Sequence, residues 1–141
     1  GNVLLDADNV YWTTHLAVKK QGKAGGVAQL LANTPASSGA TLSGDYLYWV
    51  HDGVVERVTK EGQKREQLVS SAPFTQGVAA DATTVYFATS GGQVMRAALD
   101  TRKPYIVALD QHNPYVAASD AAFVYWIEVV ASGARIQRFA K

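Results

Sequence analysis

Three histidines and the polar residues beside them are the candidates for chemistry in this sequence of 141 residues. Histidine near a carboxylate is the pairing used in general acid–base catalysis, and histidine with carboxylates is also a common donor set for metal ions. His51 is followed by Asp52 and His112 by Asn113, in polar stretches between apolar runs. The candidate ligand-binding residues are His15, His51, Asp52, His112, Asn113 and Tyr115.

An internal repeat determines where these residues lie in the fold. A hydrophobic residue followed by two aromatic residues ends at Trp12, Trp49, Phe87 and Trp126, at intervals of 37, 38 and 39 residues. The first three units also hold four short apolar runs separated by turn residues, the last unit holds three, and there is hardly any helical periodicity. Four strands in about 40 residues, repeated, indicate an all-β fold of β-propeller blades.

The repeat predicts antiparallel four-stranded blades at residues 1–34, 35–72, 73–111 and 112–141, which together form one β-propeller domain. The last unit ends before its fourth strand, which leaves about 3.75 blades. The aromatic pairs are expected to fill the space between blades, because large rings contribute the most burial energy. Repeated acidic residues are expected in the turn after each first strand, where an aspartate can accept backbone N–H groups. These residues are Asp6, Asp8, Asp45, Asp81 and Asp120.

The unit pattern of an aspartate turn, Val-Tyr-Trp and then Val-x-Arg resembles the YWTD-type β-propellers of the LDL-receptor class. It is more similar still to the Val-Tyr-Trp repeats of bacterial, often myxobacterial, cell-surface propeller proteins. The resemblance implies a secreted, periplasmic or cell-surface location. The aspartate of the YWTD motif is missing from all four units, so the ligand chemistry of that class is not carried over.

An incomplete ring would leave an apolar blade face exposed at each end of the chain. Three solutions remain open: a small four-bladed monomer, a homodimer that joins two halves, and a partial propeller completed by a different chain. The second and third are favoured, so a second propeller-forming chain or a second copy is an expected partner.

Composition and motifs argue against several other functions. Thirteen basic and twelve acidic residues give a formal charge of +1, so no nucleic-acid partner is expected. No apolar run approaches the roughly 20 residues that span a bilayer, so membrane insertion is not expected. The chain has no cysteine, and it contains no phosphate-binding loop, zinc-hydrolase motif or nucleophile elbow. We therefore expect no cofactor and no metal, and the histidines are expected in exposed loops.

The leading hypothesis is a non-catalytic binding or scaffold module that recognises a protein or a carbohydrate through loops on one rim. One alternative is a hydrolase or lyase with its site at the mouth of the propeller channel, because fold does not fix function. Another alternative is an assembly subunit whose end blades complete a ring with a second chain. The sequence identifies no catalytic residue.

Overall fold

The computed structural model describes residues 1–35, 38–70 and 75–141. These residues form fifteen β-strands, which confirms the all-β fold. No helix that could span a bilayer occurs among them. The predicted boundary between residues 72 and 73 lies outside the described residues, and the exact limits of the four units stay a prediction.

The strands fall into four groups, which we number as blades 1 to 4. Blade 1 consists of β1 (Val3–Leu5), β2 (Asn9–Thr13), β3 (Ala17–Gly22) and β4 (Gln29–Asn33). Blade 2 consists of β5 (Gly39–Ser43), β6 (Tyr46–His51), β7 (Val54–Thr59) and β8 (Glu66–Ser70). Blade 3 consists of β9 (Thr75–Ala80), β10 (Thr84–Thr89), β11 (Gln93–Ala98) and β12 (Pro104–Ala108). Blade 4 consists of β13 (Tyr115–Ser119), β14 (Phe123–Val130) and β15 (Gly133–Ala140).

Each blade is an antiparallel sheet whose strands pair in sequence order. The aromatic pair lies on the second strand, and in blade 2 Tyr48 is paired with Thr41 of β5 and Arg57 of β7. Successive side chains of a strand point to opposite faces, so every blade has one face that carries the tyrosine and one that carries its aromatic neighbour. We call these the Tyr face and the Trp face of a blade.

The hydrophobic core formed by the described residues consists of three clusters, each between two consecutive blades. In each cluster the Tyr face of one blade packs on the Trp face of the next: Tyr11 with Trp49, Tyr48 with Phe87, and Tyr86 with Trp126. All six rings are buried, as the repeat predicts. Coverage on both faces explains why the strands of blades 2 and 3 read as continuous apolar runs rather than as alternating ones.

The first strands of neighbouring blades approach closely, and two glycines allow this. Gly77 of β9 pairs in parallel with Val116 of β13, which joins blades 3 and 4 into one seven-stranded sheet. Gly77 has a φ of 67°, and a Cβ added there would lie 2.2 Å from the Val116 carbonyl oxygen. A Cβ on Gly39 of β5 would lie 2.7 Å from the Gly77 Cα. The backbones meet where any side chain would hold them apart.

All five repeated aspartates lie between the first and second strands of a blade, as predicted, and hydrogen bonds from backbone N–H groups to three of them are observed among the described residues. Asp6, Asp81 and Asp120 each accept two backbone N–H groups from the turn that follows them. Asp45 does not share their position, because it precedes its tyrosine by three residues rather than five and so corresponds to Asp8. Ser43 stands at the turn position of blade 2.

Candidate functional site

All six predicted site residues lie on one rim, which we call the upper rim. It carries the β2–β3, β6–β7, β10–β11 and β14–β15 turns and the connections between blades. His15 is in the β2–β3 turn, His51 ends β6, and Asp52 begins the β6–β7 turn. His112 and Asn113 lie in the connection that leads to Tyr115, the first residue of β13. The alternation of strand direction places them on the same side.

The expectation that the histidines lie in exposed loops is wrong for His51, which is buried at the end of β6 and belongs to a polar cluster between blades 1 and 2. Its Nε2–H donates to Glu56 Oε2 at 2.9 Å. Arg65 binds the same carboxylate with two nitrogens, at 3.2 and 2.8 Å, and also donates to the Asn33 carbonyl of blade 1. Both Glu56 oxygens are therefore occupied, and the cluster connects the two blades. His51 Nδ1 is enclosed without a hydrogen-bond partner among the described residues, 3.9 Å from Asp52 Oδ2.

His112 is held by a second buried carboxylate, Glu128 of β14. The backbone N–H and the ring Nδ1–H of His112 both donate to Glu128 Oε1, at 3.1 and 3.2 Å. Arg135 and Gln137 of β15 donate to Oε2, at 2.8 and 3.2 Å. The Arg135 guanidinium, and then the His112 amide, keep the pKa of Glu128 well below its usual range. The carboxylate stays charged and fixes the connection between blades 3 and 4.

His15 lines an open cavity of about 530 Å³ together with Leu16, Asn33, Thr34 and Pro35. Thr34 is held in place from the protein interior, because the indole N–H of Trp49 donates to its hydroxyl at 2.9 Å. The Thr34 amide also donates to the Leu16 carbonyl at 3.0 Å, so the two loops that form the cavity are bonded to each other. The result is a shallow recess with one imidazole, one amide and an apolar wall.

The structure does not bring the three histidines together. His15 and His51 belong to the hairpins of two different blades and His112 to the connection between blades 3 and 4, and the described residues contain no group of three histidines and carboxylates that could hold a metal ion. His51 and His112 are nevertheless paired with carboxylates, which were not among the predicted residues. Glu128 follows Trp126 by two residues, as His51 follows Trp49, and Glu56 is paired with Trp49 across the hairpin. The offset from the aromatic pair is the signal that could have identified them.

The remaining two candidates have different surroundings. Asn113 is exposed and has a φ of 48°, a conformation that asparagine tolerates better than most residues. Tyr115 is half-buried and pairs with Ile127, which places it on the face of blade 4 that no other blade covers. Neither residue contacts a histidine through a hydrogen bond.

No family model matches the sequence, and no curated protein matches it. Among solved structures, the chain is similar to one in a nidogen/laminin complex, with a TM-score of 0.78 and 15% identity, over 95% of this chain and 58% of that one. An extracellular domain from B. thetaiotaomicron gives a TM-score of 0.65 at 13% identity, over 96% of this chain and 21% of that one. A computationally designed protein gives a TM-score of 0.70 at 16% identity, over 98% of this chain and 88% of that one.

These similarities establish a β-propeller-like fold, and the identities are too low to say more. The chain spans 58% of the first neighbour and 21% of the second. Two of these neighbours are an extracellular domain and a chain of a complex between two proteins. What those proteins bind is a property of those proteins and is not assigned to this chain.

Proposed function

We propose that this chain is a non-catalytic binding module of a secreted, periplasmic or cell-surface propeller protein, which recognises a protein or a carbohydrate through the loops of its upper rim. The nidogen/laminin neighbour supports a protein partner, and the extracellular neighbour supports the location. An apolar and amide-lined recess also suits a sugar face, so carbohydrate is retained as the second ligand class.

The observation that carries the proposal is the saturation of the two buried carboxylates of the upper rim. Glu56 accepts from His51 and Arg65, and Glu128 accepts from His112, Arg135 and Gln137. A general acid or base needs a free position within hydrogen-bond reach of its substrate. Carboxylates that are buried and hydrogen-bonded on both oxygens, with an arginine on at least one of them, instead fix the loops around them. Fixed loops reduce the ordering cost of binding.

The ligand surface that these loops support is the recess around His15 and Leu16. Leu16 is 77% exposed, which is unusual for a leucine in a turn that polar residues would suit. Asn33 belongs both to the buried polar cluster and to the recess. Its carbonyl accepts a hydrogen bond from Arg65, and the residue lines the recess. The buried cluster thus positions a surface with one large apolar side chain and few charges.

The test is a binding assay on two panels, immobilised oligosaccharides and purified extracellular proteins with laminin included. The variant Leu16→Arg changes the recess, and Val27→Arg is the matched control, since Val27 is 94% exposed in the β3–β4 loop of the opposite rim. We expect Leu16→Arg to weaken binding by about tenfold or more, whereas Val27→Arg leaves it unchanged. Equal effects of both variants, or no binding to either panel, would contradict the proposal.

The same preparation tests the enzymatic alternative. Chromogenic glycosides and esters probe hydrolysis, and His15→Ala removes the one rim histidine that carries no hydrogen-bonded carboxylate among the described residues. Turnover that disappears in His15→Ala would replace the binding proposal with a catalytic one. We expect no turnover that depends on His15.

A further inference from the structure

The first and last blades each present an uncovered apolar face. Blade 1 exposes its Trp face, which carries Val3, Leu5, Val10, Trp12 and Leu30. Blade 4 exposes its Tyr face, which carries Tyr115, Tyr125, Ile127, Val129 and Ile136. Leu5 is 62% exposed and Ile136 is 76% exposed, so the two faces do not pack on each other within the chain.

The repeat shows what normally covers these positions. Ile136 occupies the place that Val18, Val55 and Val94 occupy in blades 1 to 3, and those three valines are fully buried against the following blade. Trp12 likewise corresponds to Trp49, which is fully buried against the preceding blade. The chain therefore carries one unused Trp face and one unused Tyr face, the two complementary halves of an interface that it already forms three times.

An ion pair between blades marks the same interface. Lys60 of blade 2 reaches Asp6 of blade 1 at 3.3 Å, and Lys141 of blade 4 reaches Asp81 of blade 3 at 2.6 Å. Both lysines hold the same place, because the amide of each bonds to the carbonyl of the residue three before the tyrosine of its own blade. In both pairs the lysine belongs to the blade that contributes its Trp face, and the aspartate belongs to the preceding blade.

Between blades 2 and 3 both members of this pair are replaced together. Leu99 stands at the lysine position, as its amide bond to Thr83 shows, and Ser43 stands at the aspartate position. Blade 1 retains the lysine as Lys23, whose amide bonds to the Asp8 carbonyl, although the described residues form no blade before it. Blade 4 retains the aspartate as Asp120, although the described residues form no blade after it. Lys23 Nζ donates to the Asp6 carbonyl of its own blade, as Lys141 Nζ does to the Asp120 carbonyl, and among the described residues neither Lys23 nor Asp120 has an ion-pair partner.

We propose that two copies of this chain assemble head to tail, with the Trp face of blade 1 in each copy packed on the Tyr face of blade 4 in the other. Trp12 of one copy then packs on the blade 4 face that carries Tyr125 in the second copy. Lys23 of the first copy pairs with Asp120 of the second. Two chains of four blades give eight, within the usual range of four to eight for propellers, whereas three chains would exceed it. The two copies are related by a twofold axis, so the contact between these two faces forms twice and the ring closes after two copies.

The experiment measures solution mass over a dilution series by light scattering or native mass spectrometry. We expect a species of twice the 15.1 kDa chain mass that dissociates on dilution. Leu5→Arg alters only the Trp face and Ile136→Arg only the Tyr face. Both side chains are exposed in the single chain, so neither change should lower its thermal unfolding midpoint. Each variant alone should associate at least about tenfold more weakly.

An equal mixture of the two variants distinguishes this assembly from any other. The Tyr face of Leu5→Arg and the Trp face of Ile136→Arg remain intact, so the mixture should form a heterodimer through one interface. Val27→Arg is the control, an exposed apolar residue on neither face. A wild-type chain that stays at 15.1 kDa throughout the series, a single variant that dimerises as tightly as the wild type, or a mixture that pairs no better than its components would each overturn the proposal.

Discussion

The hydroxyl of Tyr11 donates to the Asp6 carboxylate at 2.8 Å, across the turn that joins β1 to β2. The bond recurs between Tyr125 and Asp120 at 2.7 Å. It lowers the pKa of Asp6, and burial together with that carboxylate raises the pKa of Tyr11. One oxygen of the aspartate thus accepts the backbone N–H groups of the turn. The other accepts the hydroxyl of the tyrosine whose ring fills the core.

Removing this hydroxyl should destabilise the fold where the ring is buried. Tyr11 is fully buried, so Tyr11→Phe should lower the free energy of unfolding by about 1 kcal/mol, the net value of one hydrogen bond. Tyr125→Phe removes the equivalent bond from a half-buried ring, where water can replace the partner, and should cost less. Urea unfolding of both variants measures the difference. Equal losses would show that burial does not set the strength of the bond.

Acid should destabilise the protein as its carboxylates become protonated. The Tyr11 hydroxyl lowers the pKa of Asp6, the Tyr125 hydroxyl lowers that of Asp120, and Arg135 lowers that of Glu128. The unfolded chain, whose carboxyl pKa values are about 4, therefore binds more protons than the folded chain. The stabilisation is complete above that pH and is lost progressively below it.

Thermal unfolding followed between about pH 6 and pH 2 measures this dependence. We expect the midpoint to be steady at the upper end and to fall steeply below about pH 4. Glu128→Gln removes one of the contributing carboxylates and should flatten the curve. A midpoint independent of pH through this range would contradict the pKa shifts.

The fold was predictable from the sequence because the Tyr-Trp pair repeats with its turn residues, and each pair fills the same space between blades. The carboxylate partners of the histidines were harder to predict from the sequence. Glu56 and Glu128 belong to strands that read as apolar, and their role appears only when the hairpin register places them beside His51 and the His112 connection. The difference between Asp45 and the other turn aspartates was also missed, because the acidic residues were compared by type and not by their distance from the tyrosine.

Two tryptophans at the same repeat position should differ in their contribution to stability. Trp49 is fully buried between blades 1 and 2, so Trp49→Ala should cost about 3–5 kcal/mol. Trp12 is half-buried on the open face of blade 1, and Trp12→Ala should cost far less in the single chain. Both are best measured in the Ile136→Arg background, which removes any contribution of association. Similar losses would mean that the Trp face of blade 1 is covered within the chain.

Gly77 should tolerate no side chain, because its neighbour is backbone. Gly44→Ala is the matched control: its φ of 54° is also left-handed, but an added Cβ has open space around it. Strain alone should cost Gly44→Ala about 1 kcal/mol. Gly77→Ala should cost about 1–3 kcal/mol more, since the Cβ would push Val116 away and break the pairing between β9 and β13. Chemical unfolding of both variants gives the comparison.

Charge exchange tests whether Lys23 and Asp120 meet across two copies. Lys23→Glu places two acidic residues at each interface of its own dimer, and Asp120→Lys places two basic ones, so each variant alone should associate more weakly than the wild type. In the mixed dimer both interfaces again join opposite charges: Glu with Lys at one, and the original Lys23 with Asp120 at the other. Mixing should therefore restore association, most strongly at low salt, where charge pairs are least screened. Native mass spectrometry separates the mixed dimer from the two parents. A mixture that associates no better than its components, while both variants keep a cooperative thermal transition, would show that these two residues do not face each other.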